Sequence, residues 1–528
     1  MKFSDCSPAL KLALRHHRND RGERLTVKIG SYLHELYQDA WYRACVWKKC
    51  TQIGITEWAI VSMQALSELG YSQFHVTPTE PIRNRFIDNR LDKSIRLNPY
   101  YADRYTETDR KEFKLYRGVT AQSFVASNST ANFTEFSGDV GTVDEVDECN
   151  QANLLMVPER LTGSKIQPPL IRWIGNPKFP NRGIARLYRA SDRRTWHVPC
   201  CNCGKRISPD WFRDVVHEDG TVRDRDWEQG KKLRTICPEC VKPYDPRVPG
   251  EWVPEITERG RARGYTASKI FAGNATLEWL YLERFRPGIF DADLYQRFMN
   301  GDLGLEFLAA DARINIPADI KKNYPSESTP TAPCYLGIDP GKRIHYVVLA
   351  ETDLINEFNG KKILRLIQAG WVTNELEVDE LFARYRPRVA VIDAAPEMRL
   401  VANLKAKHQR LFSCEYFGSE FEMSRDKAET LLYQRRARED RTSSIDMVRA
   451  AIENGTIHFP RDAESLSISP ADGKGELYRH ITEPIRIYDR ARNRFIWDDD
   501  PSSQDHLLHC LVYAMLSKNI YWRVGQLQ

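Results

Sequence analysis

The chain has 528 residues, a length that predicts two or three domains. Its residues are 41% hydrophobic and 28% charged, which is usual for a folded globular protein. Its net charge of +5 permits binding to a polyanion but does not require it. No apolar run approaches the length of about 20 residues that a membrane helix needs, and the polar N-terminus lacks the apolar core of an export signal. We therefore expect a cytoplasmic protein without membrane contact, whose 12 cysteines stay reduced.

The elements predicted along the chain form two α/β domains in succession. Residues 1–30 are polar and basic, and are expected to form a loosely held arm. Alternating apolar strands and amphipathic helices over residues 31–322 predict a domain with a largely parallel sheet. Residues 196–255 interrupt this alternation with cysteines, charges and glycines. A linker rich in Pro, Ser and Thr at residues 323–333 leads to a second α/β domain at residues 334–528.

A phosphate-binding loop is predicted in the first domain. The usual sequence is G-x-x-x-x-G-K-[ST], in which backbone N–H groups and a lysine hold the phosphates and a hydroxyl holds Mg²⁺. In KCTQIGIT, Gly54 and Thr56 occupy the second glycine and hydroxyl positions, but Ile55 replaces the lysine. Lys49 stands where the first glycine belongs, and its long side chain can fold back over the phosphates. We predict ATP binding here; the alternative is a solvated lysine at a strand end.

Two later strand ends supply the other groups that an ATPase needs. The strand VGTV precedes Asp144, predicted to hold Mg²⁺ through water, and Glu145, predicted to orient or deprotonate the attacking water. A third strand ends before Asn176, at the position from which an inserted strand senses the γ-phosphate. An acidic pair after a strand is common without such a role, but the order of these features favours a P-loop ATPase domain.

Two CxxC pairs in the insertion predict a structural zinc site. They are separated by 33 residues, and four thiolates match the tetrahedral preference of Zn²⁺. A closed Cys₄ site has no open position for a substrate, so the metal is expected to stabilise the fold. Cys201 is left out because adjacent cysteines rarely bind one ion together. The predicted ligands are Cys200, Cys203, Cys237 and Cys240.

Acidic residues at three element boundaries of the second domain predict a nuclease site. Asp339 and Asp393 each end an apolar strand. Asp505 opens the last helix, one turn before His509 on the same face. Carboxylates in this strand–strand–helix order can bind two divalent cations, Mg²⁺ or Mn²⁺, for phosphodiester hydrolysis. Each acid singly is more often a cap or solvated, and His509 is either a metal ligand or a partly buried helix residue. Jointly they favour an RNase H-like nuclease domain.

With these features in this order, the chain resembles the large subunit of tailed-phage terminases, in the lambda-type (GpA-like) branch. The resemblance covers most of residues 30–520. The segments that carry it are KCTQIGIT at 49–56, which opens with lysine and has none after the glycine, DEVD at 144–147, VPC at 198–200 with the downstream cysteine pair, GEW at 250–252 and FMNGDLG at 298–304.

Two positions depart from the usual family sequence. Asn176 lies in Gly-Asn-Pro where Ser-Thr-Pro is more usual, which leaves its coupling role open. Many relatives carry an aspartate where His509 stands, which leaves the third nuclease ligand open. The family also implies an arginine finger, for which Arg160 is one candidate.

The resemblance implies an ATP-driven motor that moves double-stranded viral DNA into a procapsid and cuts the concatemer. The implied partners are a small terminase subunit, the portal protein and the procapsid, with a homo-oligomeric ring on the portal, in the host cytoplasm. Two alternatives stay open: a helicase–nuclease of repair or mobile-element type, and a catalytically inactive DNA-binding scaffold, which the missing lysine favours.

Overall fold

The structure is a computed structural model that divides into two compact units, Met1–Ala309 and Ala310–Gln528. It describes residues 7–525 apart from several short stretches. The residues left out within that range are 20, 29, 106–109, 135, 229, 310–311, 323, 328–331, 358, 418–432, 490–493 and 499–503.

The first unit is built on a seven-stranded sheet. Its strands are β1 (Ala44–Lys49), β2 (Gln73–Thr77), β3 (Phe113–Tyr116), β4 (Thr120–Ala126), β5 (Val140–Val143), β6 (Leu170–Gly175) and β7 (Arg263–Ala267). Their order is β7-β1-β6-β5-β2-β4-β3, and only β3 pairs antiparallel, with β4. Every residue of β2 is buried, as expected where helices cover both faces. The predicted parallel α/β architecture is confirmed.

The helix Ile55–Glu68 is the main helix against this sheet. It is apolar on nearly every side and buried along most of its length, and its Trp58 ring lies 5.1 Å from the ring of Trp47 in β1. The α-helices of the first unit are Pro8–Arg15, Tyr32–Gln38, Ile55–Glu68, Glu80–Phe86, Asp92–Leu97, Pro99–Ala102, Gln151–Leu154, Gly183–Ala190, Trp211–Asp214, Leu277–Trp279, Arg286–Ile289 and Ala292–Arg297, with π-helical segments at Ile87–Leu91, Leu280–Phe285 and Phe298–Leu303.

The N-terminal segment is packed, in contrast to the loose arm predicted for it. Leu10 and Leu12 of the helix Pro8–Arg15 are buried in the core of the first unit. His17 is fully buried, and its Nε2 lies 2.5 Å from Glu57 Oε1 of the main helix. The apolar spacing within PALKLAL gives the helix a buried face, which the overall basic composition of the segment conceals.

The cysteine-rich insertion consists of short antiparallel strands. Thr195–Pro199 pairs with Arg206–Ile207 on one side and with Glu251–Val253 on the other. A separate pair joins Thr235–Ile236 to Pro243–Tyr244. These short pairs carry the two turns that contain the CxxC sequences.

The second unit has a mixed seven-stranded sheet. Its strands are β8 (Cys334–Asp339), β9 (Ile344–Ile355), β10 (Lys362–Val372), β11 (Val389–Asp393), β12 (Leu411–Phe417), β13 (Arg436–Asp440) and β14 (Ile457–His458), in the order β13-β12-β11-β8-β9-β10-β14. The run β8-β9-β10 is antiparallel, and the other pairs are parallel. The α-helices are Glu375–Tyr385, Met398–Lys407, Arg441–Glu453, Leu477–Thr482 and His506–Gly525.

The last helix, His506–Gly525, lies directly on the central strand of this sheet. Gly337 of β8 permits the close approach, because a Cβ there would collide with the carbonyl oxygen of Cys510. The contact fixes the start of the helix, where Asp505 lies, relative to the ends of β8 and β11. Within the described residues, no helix combines the length and apolar character that crossing a membrane requires.

The division between the units differs from the predicted boundary at residue 322. Ile314 and Ile320 are buried in the core of the second unit, so the segment that follows Ala309 belongs with that unit. The polar composition of the stretch from residue 323 predicts a linker there. The two apolar residues before it are too far apart to show a helix or strand periodicity, so the sequence does not reveal that they belong to the second unit.

Candidate nucleotide-binding and nuclease sites

The loop between β1 and the helix Ile55–Glu68 has the backbone shape of an anion-binding loop. Gly54 caps the helix with a φ of 85°, a left-handed conformation that glycine adopts without strain. The free N–H groups and the dipole of a helix N-terminus attract negative charge. Gly54, Ile55 and Thr56 line one cavity at this end of the helix.

Lys49, the last residue of β1, lines the same cavity. Because β6 lies between β1 and β5, the residues that end or follow these three strands meet at one edge of the sheet. The Lys49 ammonium donates to Asn176 Oδ1 at 2.8 Å and lies 3.4 Å from Glu145 Oε1. Lys49 is only 6% exposed, so the alternative of a solvated lysine at a strand end is wrong.

Lys48 faces the opposite side of β1, since neighbouring residues of a strand alternate. Its ammonium lies 2.8 Å from Glu306 Oε2 and 5.0 Å from the centre of the Tyr188 ring. Among the described residues that line the cavity, Lys49 is present and Lys48 is not. The two adjacent lysines therefore differ in surroundings, which makes Lys48 a matched control for Lys49.

The acidic pair after β5 is held in a fixed arrangement. Glu145 has a left-handed φ of 52°, and its N–H donates to Asp144 Oδ1 at 3.0 Å. Burial raises the pKa of both carboxyl groups, while the Lys49 ammonium lowers it. A carboxylate with a raised pKa, next to a cation and at the wall of a cavity, is suited to accepting a proton from water.

Asp147, the last acid of DEVD, connects this site to the loop that carries Asn176. Its carboxylate accepts N–H groups from Lys178 at 3.1 Å and from Ile184 at 2.8 Å. Burial raises the pKa of Asp147 to about 6. Gly183 is required beside it, because a Cβ there would lie 2.5 Å from the Asp147 carboxyl carbon. The second aspartate of the motif thus has a structural role.

The FMNGDLG segment supports the phosphate loop from its other side. It forms the π-helical segment Phe298–Leu303, a type of distortion that is frequent at functional sites. The Gly301 carbonyl accepts the backbone N–H of Thr51 at 2.8 Å and its hydroxyl at 2.9 Å. Gly304 has a φ of 66° and leaves no room for a Cβ beside Cys50. These contacts fix the shape of the loop.

These elements surround a cavity of about 870 Å³, which is within the range for small-molecule sites. The predicted loop residues, Glu145 and Asn176 line one part of it. Asp144 lies beside Glu145 but is not among the lining residues. The other lining residues are mostly from the N-terminal segment and from the segment after β7: Asn19, Arg21, Leu25, Lys269, Gly273, Asn274, Ala275 and Trp279, together with Glu57 and Arg90.

The four cysteines predicted to bind zinc lie together. Their Sγ atoms are all within 4.8 Å of one another, with Cys200 and Cys240 at 3.8 Å and Cys203 and Cys237 at 3.9 Å. Each pair sits on a tight turn in which the backbone N–H of the first cysteine donates to the residue five positions later. Cys201 is exposed and stands outside the cluster, as expected. The donor set and its spacing fit Zn²⁺.

The three predicted nuclease acids lie at the same end of the second sheet. Asp339 and Asp393 end the neighbouring parallel strands β8 and β11, and Asp505 immediately precedes the helix that lies on β8. Burial raises the pKa of Asp393, and the nearby Asp339 carboxylate raises it further. Carboxylate oxygens are the ligands preferred by Mg²⁺ and Mn²⁺, so the donor chemistry fits these ions.

Each of these acids has a side-chain partner that was not among the predicted site residues. The Asp339 Oδ2 lies 2.8 Å from His506 Nδ1, and Asp393 Oδ2 accepts the Tyr513 hydroxyl at 2.8 Å. Arg441 donates to Asp505 Oδ2 at 2.9 Å. With these partners, the three acids do not bring their carboxylate oxygens together as a compact cluster of metal ligands. Within the described part of the chain, only the four cysteines place three or more possible ligand atoms within 4.8 Å of one another.

His509 contacts protein groups through both ring nitrogens. Nε2 lies 3.1 Å from Asp505 Oδ2, which confirms that the two residues share a helix face, and Nδ1 lies 3.1 Å from the Tyr416 hydroxyl. Although burial opposes it, His509 and Arg441 together lower the pKa of Asp505. Asp505, His509 and Tyr513 recur every four residues, a helical spacing from which Tyr513 was predictable; no sequence signal indicates Arg441.

Arg160 does not line the nucleotide cavity of its own chain; its guanidinium lies 3.9 Å from Glu159. An arginine finger can be supplied by a neighbouring subunit, so this position does not test whether Arg160 is the finger, and that role stays a prediction.

Comparison with known proteins finds one family for part of the chain and similar folds for all of it. Residues 32–253 match the family model described as phage terminase large subunit gpA, ATPase domain. The crystal structure of the HK97 bacteriophage large terminase has a similar fold, with a TM-score of 0.51 and 11% identity, over 96% of this chain and 98% of that one. The large terminase of a thermophilic bacteriophage has a TM-score of 0.33 and 10% identity, over 99% of both chains. Among curated proteins, none matches.

The match of residues 32–253 includes the phosphate loop, the acidic pair and the cysteine insertion, and the HK97 likeness extends over both units. The predicted family and the predicted two-part fold are therefore confirmed. Residues 32–253 therefore carry the ATPase domain of the phage terminase large subunit gpA family.

Proposed function

We propose that the chain is an ATP-driven motor that moves double-stranded viral DNA into a procapsid and cuts it with a separate nuclease unit. The observation that carries the ATPase part is the meeting of Lys49 with Glu145 and Asn176 at the wall of one cavity. A lysine that lies outside the usual motif position thereby contacts the residue proposed as the catalytic base, which supports the proposal of an active ATPase.

In this proposal the ATP phosphates lie on the backbone of the loop that ends at Gly54. Lys49 would neutralise phosphate charge, and Thr56 and Asp144 would hold Mg²⁺. Glu145 orients and deprotonates the attacking water, for which its raised pKa is favourable. Asn176, bound to Lys49 in this structure, would lie close to the γ-phosphate and could couple its presence to the loop after β6.

Replacing Lys49 tests the proposal most locally. Lys49→Ala should lower ATP hydrolysis by about 10³-fold, because a positive charge that stabilises the transferring phosphoryl group contributes several kcal/mol. Lys48→Ala, on the opposite side of β1, should keep most of the activity. The measurement is phosphate release by the full chain; equal losses in the two variants would contradict the assignment of Lys49.

For the second unit, we propose metal-dependent endonuclease activity. Asp339, Asp393 and Asp505 would hold divalent cations, which activate a water and stabilise the leaving oxygen when bound. The protein's own contribution is to fix the carboxylates: Tyr513 orients Asp393, and His509 and Arg441 orient Asp505. His509 is thus proposed as a residue that positions Asp505, and His506 as the group that holds Asp339.

For the cysteine insertion, we propose one structural Zn²⁺ per chain, bound by Cys200, Cys203, Cys237 and Cys240. Cys240→Ser should release the metal and lower the melting temperature of the first unit, since a structural zinc contributes directly to folding free energy. Cys201→Ser should keep the bound zinc and the melting temperature of the unaltered chain. The measurements are the zinc content of the purified variants and their thermal unfolding. Full zinc content in Cys240→Ser would contradict the assignment of Cys240 as a zinc ligand.

A terminase large subunit works with DNA and other packaging components. We propose that the specific partners here are a small terminase subunit, the portal and the procapsid, with several copies forming a ring on the portal. DNA is expected to be held mainly through its phosphates, so that binding weakens steeply as the salt concentration rises.

A further inference from the structure

The nucleotide cavity extends beyond the residues assigned to the phosphates and Mg²⁺. Lys49, Gly54, Thr56, Glu145 and Asn176 account for the part of the wall at the phosphate loop. A nucleotide whose phosphates lie there would place its base among the remaining lining residues, most of which belong to the N-terminal segment and to residues 269–279. Those residues therefore decide how the base is recognised.

Trp279 is the one aromatic side chain among the described residues that line the cavity. It is 43% exposed, although large aromatic side chains are usually well buried. Stacking on an aromatic ring is the common way in which proteins hold a base, because every base has a π-face. We propose that Trp279 is the platform on which the adenine of ATP stacks, an inference that rests on the proposed ATP-binding function of this cavity.

Two cations lie near the Trp279 ring. Lys269 Nζ lies 5.9 Å and the Arg284 guanidinium 5.8 Å from its ring, at the outer limit of cation–π contact. Both cations are fixed by the buried carboxylate of Asp302, which accepts from Lys269 at 2.6 Å and from Arg284 at 2.7 Å. A buried carboxylate therefore sets the positions of both cations next to the ring.

The same network connects the platform to the phosphate loop. Asp302 follows Gly301, whose carbonyl accepts two hydrogen bonds from Thr51 of the loop. On the other side, Gly273 lies against the loop, and a Cβ there would be 3.5 Å from the Gln52 carbonyl oxygen. Residues 301–302 thus bind the phosphate loop through Gly301 and, through Asp302, the two cations next to the Trp279 ring.

The test compares two ligands that share the phosphates and differ in the base. Binding of ATP and of inorganic tripolyphosphate, each with Mg²⁺, is measured by calorimetry on the full chain. Trp279→Ala should weaken ATP binding about 5- to 100-fold and leave tripolyphosphate binding unchanged. Trp279→Phe should retain most of the ATP affinity. Trp522, also exposed but in the second unit, supplies the control Trp522→Ala, which should bind both ligands normally.

The outcomes separate this inference from the proposed function. If Trp279→Ala binds ATP as the unaltered chain does, or loses both ligands equally, the base platform is overturned while the phosphate site stands. If the unaltered chain binds neither ATP nor tripolyphosphate, the ATPase proposal and the platform both fall.

Discussion

Glu145→Gln is expected to stop ATP turnover while leaving ATP binding intact. The amide has the size of the carboxylate and can still accept a hydrogen bond from Lys49, so the cavity keeps its shape. It cannot take a proton from the attacking water, and loss of a general base lowers a rate by about 10²- to 10⁴-fold. The variant should therefore hold ATP without hydrolysing it, as measured by phosphate release alongside nucleotide binding.

A nearby glutamate supplies the control for this experiment. Glu148 pairs with Lys178 at 2.8 Å, and its side chain is half exposed. Glu148→Gln should hydrolyse ATP at nearly the original rate. If Glu145→Gln also hydrolysed ATP at nearly the original rate, the assignment of Glu145 as the general base would be wrong.

Asp339→Asn should abolish DNA cleavage and leave ATP hydrolysis unchanged, because the two activities are proposed to reside in different units. Asparagine keeps the shape at the end of β8 but removes the negative charge that a divalent cation needs. We expect cleavage to fall by about 10²-fold or more, since the metal contributes several kcal/mol to stabilising the transition state. Nicking of supercoiled plasmid with Mg²⁺ or Mn²⁺ is the assay.

Asp353 provides a matched substitution in the same unit. It lies on the neighbouring strand β9 with a fully exposed side chain, near Lys362. Asp353→Asn should cut DNA normally. Metal-dependent nicking that persists in Asp339→Asn, or ATP hydrolysis that disappears with it, would contradict the division of labour between the two units.

The positions of the candidate site residues could be predicted where they follow buried strands. Val140–Val143 and Val389–Asp393 are short apolar runs that end in an acid or directly precede one, and parallel strands place such ends at one edge of a sheet. The zinc ligands in the paired CxxC turns could be predicted equally well, because both the ligand type and the spacing are typical of zinc sites. In each case the chemistry and the local structure are encoded within a few residues.

The supporting contacts could not be predicted, because they join residues far apart in the sequence. Gly301 closes the phosphate loop 250 positions after Thr51, and Arg441 reaches Asp505 across 64 positions. The packing of the N-terminal helix was hidden for a different reason. Its apolar face is only a few residues long, and the charges around it dominate the composition of the segment.

The central claim is that a loop without the usual lysine is an active ATPase that acts on intact duplex DNA. The most direct measurement is phosphate release by the full chain with Mg²⁺, with and without linear double-stranded DNA, together with a strand-displacement assay on the same DNA. We expect ATP hydrolysis that is faster with duplex DNA and no separation of its strands. Strand separation would point to a helicase–nuclease, and the absence of hydrolysis under both conditions would point to an inactive scaffold and contradict the claim.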